Sequence, residues 1–192
     1  MMKTKNILLV GVGGQGTITA AKLLTLGLME EGYDVKMSEI HGMSQRGGSV
    51  SSQVRYGDHV ESPVIEKGTA DIIVAFEKME AMRYIDYLKK DGTLIVNDAE
   101  IWPMPVIIGK AEYHNDILGE LDKLAEVKVM NASKMAEEMG NHRVTNVILL
   151  GAIIKSMGLD KIDWDTIIEN NVKPKFIELN KKAIREGMNF VK

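Results

Sequence analysis

The fold is decided by residues 7–32, which read ILLVGVGGQGTITAAKLLTLGLMEEG. The branched apolar run at 7–10 ends at glycines and is typical of a buried strand in a parallel sheet. From residue 17 onward apolar side chains recur at helical spacing, and Gly32 is a stop signal for that helix. A second strand is predicted at 35–40. The chain therefore opens with a β-α-β unit, whose crossover we expect to be right-handed.

The pattern beyond residue 40 continues with strands and helices and ends in a helical third. Alternation at 49–56 predicts a half-exposed strand, and the turn Gly57-Asp58 predicts that 60–65 returns as its hairpin partner. Further strands are predicted at 71–76, 93–96 and 127–130, a short edge strand at 106–108, and helices at 78–88, 133–139, 144–157, 164–170 and 174–187.

These elements predict an α/β fold. We expect a Rossmann-like, mostly parallel sheet with flanking helices, a β-hairpin insertion and a helical C-terminal arm. A length of 192 residues suits one domain. We expect that domain to span 1–192, with the α/β core at 1–131 and the helical arm at 132–192.

The composition excludes several classes of protein. A formal net charge of −3 argues against a nucleic-acid binder. The absence of cysteine excludes a disulfide scaffold, a thiol nucleophile and a cysteine-held zinc or iron–sulfur centre. The four histidines show no paired helical spacing, so no metal site is expected. The apolar run at 7–10 is too short for a signal peptide or a membrane span, and we expect a cytoplasmic protein without membrane attachment.

The first candidate site is the glycine turn, residues 11–16. Its sequence fits G-x-G-x-x-G through Gly11, Gly13 and Gly16, with Gly14 and Gln15 between them. Backbone amides at a helix N-terminus attract phosphate when no Cβ obstructs the approach. Glu39, at the end of the second predicted strand, stands where a Rossmann dehydrogenase keeps its ribose-binding acid. One hypothesis is therefore NAD(P) binding; the simpler alternative is that the glycines only allow the strand and helix to pack closely.

The second candidate site is the loop that follows the second predicted strand. Arg46 beside Gly47 and Gly48 combines a fixed cation with accessible backbone donors, which suits an anion clamp. The alternative is a surface loop with a solvated arginine.

Other polar residues are weaker candidates. Asp98 and Glu100 follow the strand at 93–96 and could serve as an acid–base pair, although capping of a turn is the commoner role. Asn146 lies within an apolar helix, where we expect a buried hydrogen bond that fixes packing.

Two stretches together resemble a known family. They are GVGGQGTITAAKLL at 11–24 and EIHGMSQRGGSVSS at 39–52, and NVILLG at 146–151 adds a weaker similarity. The chain resembles the gamma module of the 2-oxoacid:ferredoxin oxidoreductases, and among them the small (beta) subunit of the indolepyruvate type. Pyruvate-type gamma modules carry Pro-Glu-x-Arg-Gly-Gly in the second stretch. This chain has Met-Ser-Gln-Arg-Gly-Gly at 43–48, which favours an aryl-pyruvate substrate.

The resemblance implies a role within a heteromeric enzyme. The family decarboxylates a 2-oxoacid oxidatively, with CoA as acyl acceptor and ferredoxin as electron acceptor. Thiamine diphosphate and iron–sulfur clusters supply the chemistry, and in aryl-pyruvate members the large partner subunit holds them. This chain is expected to hold no cofactor alone and to line the cleft, facing CoA or the partner. The residues expected there are Gly11, Gly13, Gly14, Gln15, Gly16, Arg46, Gly47 and Gly48.

Two other functions stay open from the sequence. One is a free-standing NAD(P)-dependent oxidoreductase that uses Gly11, Gly13, Gly16 and Glu39. The other is a non-catalytic structural or regulatory module that keeps the fold without a ligand.

Overall fold

The computed structural model describes residues 2–42 and 47–191. They form one six-stranded sheet in the order β2-β3-β1-β4-β5-β6. Only β3 runs antiparallel to its neighbours β1 and β2; the other pairs are parallel. The predicted mostly parallel sheet is confirmed. The strands are β1 (Lys5–Val12), β2 (Asp34–His41), β3 (Ser49–Gly57), β4 (Ala70–Ala75), β5 (Leu88–Asn97) and β6 (Val127–Met130).

Helices cover both faces of this sheet. They are α1 (Thr17–Glu30), α2 (Lys78–Tyr84), α3 (Met104–Ile107), α4 (Ile117–Asp122), α5 (Ala132–Glu138), α6 (Thr145–Ser156), α7 (Trp164–Asn171) and α8 (Ile177–Phe190). Alternate strand residues enter two apolar cores, as the period of a strand requires. One core joins the sheet to α1 and α5–α8, and the other joins it to α2 and α4.

The hairpin lies elsewhere than the sequence predicted. The two strands that form it are β2 and β3, whereas 60–65 makes no ladder. The reason is that β3 is already paired along both of its edges, with β1 and with β2. The backbone of 60–65 bonds to side chains instead: Gln53 Oε1 accepts from the Ile65 N–H at 2.6 Å, and Arg55 donates to the carbonyls of Ser62 and Val64.

Two further predictions of local structure were wrong. The segment 106–108 is no edge strand, because Pro103 and Pro105 start a helical turn, α3, in which the Ile107 N–H donates to the Pro103 carbonyl at 3.1 Å. The helix predicted at 78–88 ends at Tyr84, and after one 3₁₀ turn β5 begins at Leu88. Helix α4 was not predicted.

The helices after residue 131 pack on the same face as α1. Close approach of α6 and α8 depends on two glycines: a Cβ on Gly187 would lie 1.9 Å from the Ile148 carbonyl oxygen, and one on Gly151 would lie 2.2 Å from the Ile184 oxygen. These helices and the strands share one apolar core.

Candidate functional site

The glycine turn joins the carboxyl end of β1 to the first turn of α1. Gly16 precedes the helix with φ 82°, and Gly14 has φ 107°; both values lie in the left-handed region that favours glycine. No side chain caps the amino terminus of α1. Gly14 is exposed, and the position of its missing Cβ is open space. The turn therefore offers backbone and the positive end of a helix dipole to its surroundings.

Gly11 and Gln15 face inward. A Cβ on Gly11 would lie 2.8 Å from Gln15 Oε1 and 2.9 Å from Phe76 Cβ, so this glycine is required by packing. Gln15 accepts a hydrogen bond from the Val12 N–H at 2.7 Å and donates to the Phe76 carbonyl at 3.0 Å. The simpler reading of the motif therefore holds for Gly11, and Gln15 shapes the turn from within.

The two loops that the sequence singled out lie against each other. The Gly13 N–H donates to the Gly48 carbonyl at 2.9 Å, and the Gly47 N–H donates to the Gly13 carbonyl at 3.3 Å. The glycines at 13, 47 and 48 thus form one continuous rim. Arg46, with residues 43–45, lies outside the described residues, so the predicted anion clamp is not placed.

Side-chain amides also connect the strand ends that lie next to this rim. Asn97, fully buried at the end of β5, donates to the Phe76 carbonyl at 3.0 Å. It also exchanges hydrogen bonds with Ser133: Asn97 Nδ2 donates to Ser133 Oγ at 3.0 Å, and the Ser133 N–H donates to Asn97 Oδ1 at 3.2 Å. The ends of β4 and β5 and the start of α5 are tied together in this way. The sequence analysis missed Asn97, although an asparagine that ends an apolar strand is a signal for it.

Asn146 on α6 reaches the glycine turn. Its side-chain amide donates to the Gly16 carbonyl at 3.2 Å, and a Cβ on Gly16 would lie 2.6 Å from the same nitrogen. The buried packing role predicted for Asn146 is therefore confirmed, and its partner is the turn itself. Its Oδ1 atom is buried and has no hydrogen-bond partner among the described residues.

A cleft of about 640 Å³ opens on one side of the turn, which we call the first cleft. Gly14 and Gly16 form one wall, and the exposed side chains of His142 and Arg143 stand on the other. The sequence analysis missed Arg143, because this cation is distant from Gly16 along the chain and no local motif marks it. The lining of the first cleft combines amides, a guanidinium and an imidazole with one carboxylate, that of Glu137. The cation and the amides suit an anionic ligand.

A second cleft, of about 570 Å³, opens on the other side of the turn. Gly14, Thr17 and Ile18 line it together with Glu39 and His41. Glu39 thus shares a cleft with the glycine turn, but β3 separates its strand from β1. One intervening strand doubles the lateral distance from about 5 Å to about 10 Å. This strand order differs from that of a dinucleotide-binding sheet, in which the acid follows the strand next to β1.

Asp98 and Glu100 form ion pairs. Lys78 Nζ lies 3.2 Å from Asp98 Oδ1 and 2.7 Å from Glu100 Oε1. The hydrogen bond from Lys78 holds the pKa of Glu100 below its usual range, with a smaller contribution from Trp102. A carboxylate held ionised in this way is a poor general acid.

Glu77, which the sequence analysis did not single out, is fully buried. Burial raises its pKa, and the nearby carboxylate of Glu80 adds to the rise, while backbone N–H donors oppose it. Glu80 is buried too; it accepts from Ser49 and pairs with Arg83 at 3.0 Å. Because Ser49 begins β3 directly after Gly48, these acids lie beneath the rim.

The described residues contain no group of three or more metal-ligating side chains and no helix long and apolar enough to cross a membrane.

The fold and the glycine rim define the class of protein. The profile of the family "Pyruvate ferredoxin/flavodoxin oxidoreductase" matches residues 6–190. The chain therefore belongs to this family. The gamma-module resemblance is confirmed, and the NAD(P) hypothesis gains no support from any of these comparisons.

Within the family, the chain is similar to "Indolepyruvate oxidoreductase subunit IorB" of Thermococcus kodakarensis. The two are 41% identical over 100% of this chain and 98% of the relative. The fold matches pyruvate oxidoreductase subunit PORC of Thermotoga maritima with a TM-score of 0.74, at 23% identity, over 99% of this chain and 98% of that one. It also matches 2-oxoglutarate:ferredoxin oxidoreductase of Magnetococcus marinus, solved with 2-oxoglutarate, coenzyme A and succinyl-CoA bound. There the TM-score is 0.73 at 19% identity, over 98% of this chain but only 31% of the other.

Proposed function

We propose that this chain is the small subunit of a ferredoxin-dependent 2-oxoacid oxidoreductase of the indolepyruvate or aryl-pyruvate type. The complex converts the 2-oxoacid and CoA to aryl-acetyl-CoA and CO₂ and passes the electrons to ferredoxin. The observation that carries this proposal is the 41% identity over the full length to a relative named for indolepyruvate. The Met-Ser-Gln-Arg-Gly-Gly form of the second stretch, at 43–48, supports the same substrate class.

The cofactors of this reaction belong to the partner. A chain without cysteine has no thiolate ligands for an iron–sulfur cluster, so its residues do not fit that group. We assign thiamine diphosphate, the clusters and the contact with ferredoxin to a larger, cysteine-rich subunit. The isolated small subunit is then inactive. We also propose that no nucleic acid or membrane takes part and that the complex works in the cytoplasm.

The contribution of this chain is one wall of the cleft that receives CoA. We assign this wall to the glycine turn and to the loop that lies against it. The residues are Gly11, Gly13, Gly14, Gln15 and Gly16 in the turn, and Arg46, Gly47 and Gly48 in the loop. Gly14 and Gly16 present amides at the uncapped start of α1, while Gly11 and Gln15 hold the turn in shape. CoA carries phosphates. In the first cleft the guanidinium of Arg143 and the amides of Gly14 and Gly16 together are a suitable receptor for them.

Arg143 gives this proposal a specific test. The small and large subunits are co-expressed, purified as a complex and assayed with indolepyruvate, CoA and ferredoxin. A charge-assisted hydrogen bond is worth about 1.5–3 kcal/mol, so Arg143→Gln is expected to raise the KM for CoA by about 10- to 100-fold while kcat stays close to that of the unaltered complex.

Arg185→Gln is the matched control, because Arg185 is an exposed arginine on α8 whose pair with Asp165 is a surface one. It should leave the KM for CoA unchanged. Turnover by the small subunit alone would refute the subunit assignment. An unchanged KM in the Arg143→Gln complex would move CoA out of the first cleft.

We also propose that residues 1–192 act as a single domain, with the α/β core at 1–131 and the helical arm at 132–192. These two parts share one apolar core, which supports a single folding unit rather than two independent domains.

A further inference from the structure

A short loop beside the rim carries a concentration of exposed apolar side chains. This apolar loop, residues 101–108, follows β5 and includes α3. Five of the eleven large apolar residues exposed in the described part of the chain lie within its eight positions. They are Ile101, Trp102, Met104, Ile107 and Ile108, with Met104 65% exposed and Ile107 62% exposed. Such a cluster indicates a contact surface.

The backbone of the apolar loop is held by its own hydrogen bonds. The N–H groups of Val106 and Ile107 donate to the Pro103 carbonyl, and those of Lys110 and Ala111 donate to the Pro105 carbonyl. Two prolines further restrict the chain. The loop thus presents its apolar side chains from a fixed backbone, which reduces the entropy lost on binding.

Its side chains add little to the fold. Neither apolar core includes a residue from 101–108 in the described structure. Trp102 stacks on Tyr113 with ring centroids 6.2 Å apart and donates to Glu100 Oε2 at 3.3 Å, and it still remains 53% exposed. Burying apolar area is the main stabilising term in folding, so side chains outside both cores contribute little to it. Their clustering on the surface instead indicates contact with a partner.

The exposed area of the apolar loop supplies a large part of a standard interface. If each of the five side chains offers roughly 100 Å², half of the ~200 Å² that a large apolar side chain buries, the loop supplies on the order of 500 Å². A standard interface buries about 800 Å² on each partner. The loop lies at the carboxyl end of β5, the edge of the sheet that also carries the glycine rim, so one partner can cover both.

We propose that the apolar loop docks on the large subunit of the same enzyme, with Trp102 and Ile107 as its main anchors. This inference rests on the proposed function. The match over 31% of a longer chain in the Magnetococcus enzyme supports the choice of occupant, because there the same fold is one part of a larger polypeptide. A second copy of this chain is the alternative occupant.

The test uses co-expression of the small chain with the large subunit and capture through a tag on the large subunit. Trp102→Ser combined with Ile107→Asp is expected to reduce the captured small chain at least tenfold. Met29→Ser combined with Val64→Ser is the control, because these side chains are 57% and 56% exposed and lie outside the loop. That control should be captured as well as the unaltered chain.

Four results separate the possible explanations. The melting temperature of the purified double variant must stay near that of the unaltered chain, since a fall of many degrees would mean a folding defect. Ile107→Ser alone then serves as a milder variant, for which a smaller but measurable loss of capture is expected, because Ile107 is a main anchor and is 62% exposed. If the unaltered chain is captured and the loop variants are captured equally, the inference is wrong. If the loop variants abolish a dimer of the small chain and leave capture intact, the occupant is a second copy. Failure of the unaltered chain to bind any thiamine-dependent subunit would refute the proposed function itself.

Discussion

Gln15 and Asn97 donate to the same oxygen atom, the carbonyl of Phe76, each at 3.0 Å. Gln15 belongs to the glycine turn after β1, and Asn97 ends β5. The shared acceptor lies directly after β4, between these two strands in the sheet. Two amides on one carbonyl therefore fix the relative positions of three parallel strand ends. The glycine rim takes its shape from this arrangement, since Gln15 also bonds the Val12 N–H.

Removal of Asn97 should loosen the rim and lower stability. Asn97→Ala deletes one buried and two part-buried hydrogen bonds and leaves the Ser133 N–H and Oγ without their partner. At about 1 kcal/mol for each bond we expect a loss of about 3 kcal/mol in the free energy of unfolding. Urea titration followed by circular dichroism measures it.

Asn131→Ala is the control for that variant. Asn131 is exposed and caps α5 by accepting from the Lys134 N–H at 3.2 Å. Loss of a cap costs about 1 kcal/mol. Equal effects of the two substitutions would show that the amides between the strand ends contribute no more than an ordinary cap.

Local patterns in the sequence were sufficient for most of the fold. The buried strands at 7–10 and 71–76 were predicted because a short apolar run bounded by turn residues is typical of a buried strand, and the edge strand at 127–130 was predicted from a shorter run. The hairpin was misplaced because strand pairing is a long-range choice: the alternation at 49–56 does not indicate which neighbour it meets. Helix α3 was missed because its prolines, read as loop signals, also suit the first turn of a helix.

The site was predicted in part for the same reason. The glycine turn and the Gly47-Gly48 loop were found from their own residues, and the structure brings them into hydrogen-bond contact. Arg143 could not be found, because it is distant from Gly14 and Gly16 along the chain and shares a cleft with them only in the folded protein. Asn97 could have been found from its own place at the end of an apolar strand, although its partners Phe76 and Ser133 could not.

Gly187 should tolerate no side chain. A Cβ there would lie 1.9 Å from the Ile148 carbonyl oxygen, which is backbone and cannot rotate away. Gly187→Ala must then push α8 from α6, at a cost of about 1–3 kcal/mol or more, although alanine favours the helix itself. Asn189→Ala, at an exposed position of the same helix, should be neutral or slightly stabilising. A melting temperature for Gly187→Ala equal to that of the unaltered chain would contradict the close helix contact.

Asp71 should stabilise the protein at neutral pH and lose that effect in acid. Burial acts to raise its pKa, but hydrogen bonds from Lys89 and the Asn6 N–H, with the charge of Lys5, outweigh burial and hold the pKa below its usual range. A lowered pKa in the folded state adds stability above the unfolded value of about 3.9 and loses it as the pH falls through the folded value. Asp71→Asn should therefore melt about 2–4 °C lower at pH 7, for a loss of about 1 kcal/mol. The difference should shrink as the pH falls below about 4, and a difference that grows in acid would overturn the assignment.

Glu77 should show the opposite dependence on pH. Its carboxyl group is fully buried beneath the rim, and burial, aided by the charge of Glu80, raises its pKa above the usual range. The folded protein then prefers the neutral acid. Its contribution is complete below the unfolded pKa of about 4.3, and stability is lost as the pH rises through the folded value. Glu77→Gln keeps an acceptor for the Glu80 N–H and removes the charge.

The melting temperature of Glu77→Gln minus that of the unaltered chain should therefore rise as the pH increases above the unfolded pKa of about 4.3, and it should level off once the pH exceeds the folded pKa. Differential scanning calorimetry across this pH range measures it, with Asp71→Asn as the comparison whose difference stays nearly constant there, because the pKa of Asp71 lies below the range. A flat difference for Glu77→Gln would mean that the carboxylate is ionised without penalty, which a fully buried acid beside a second buried acid should not achieve.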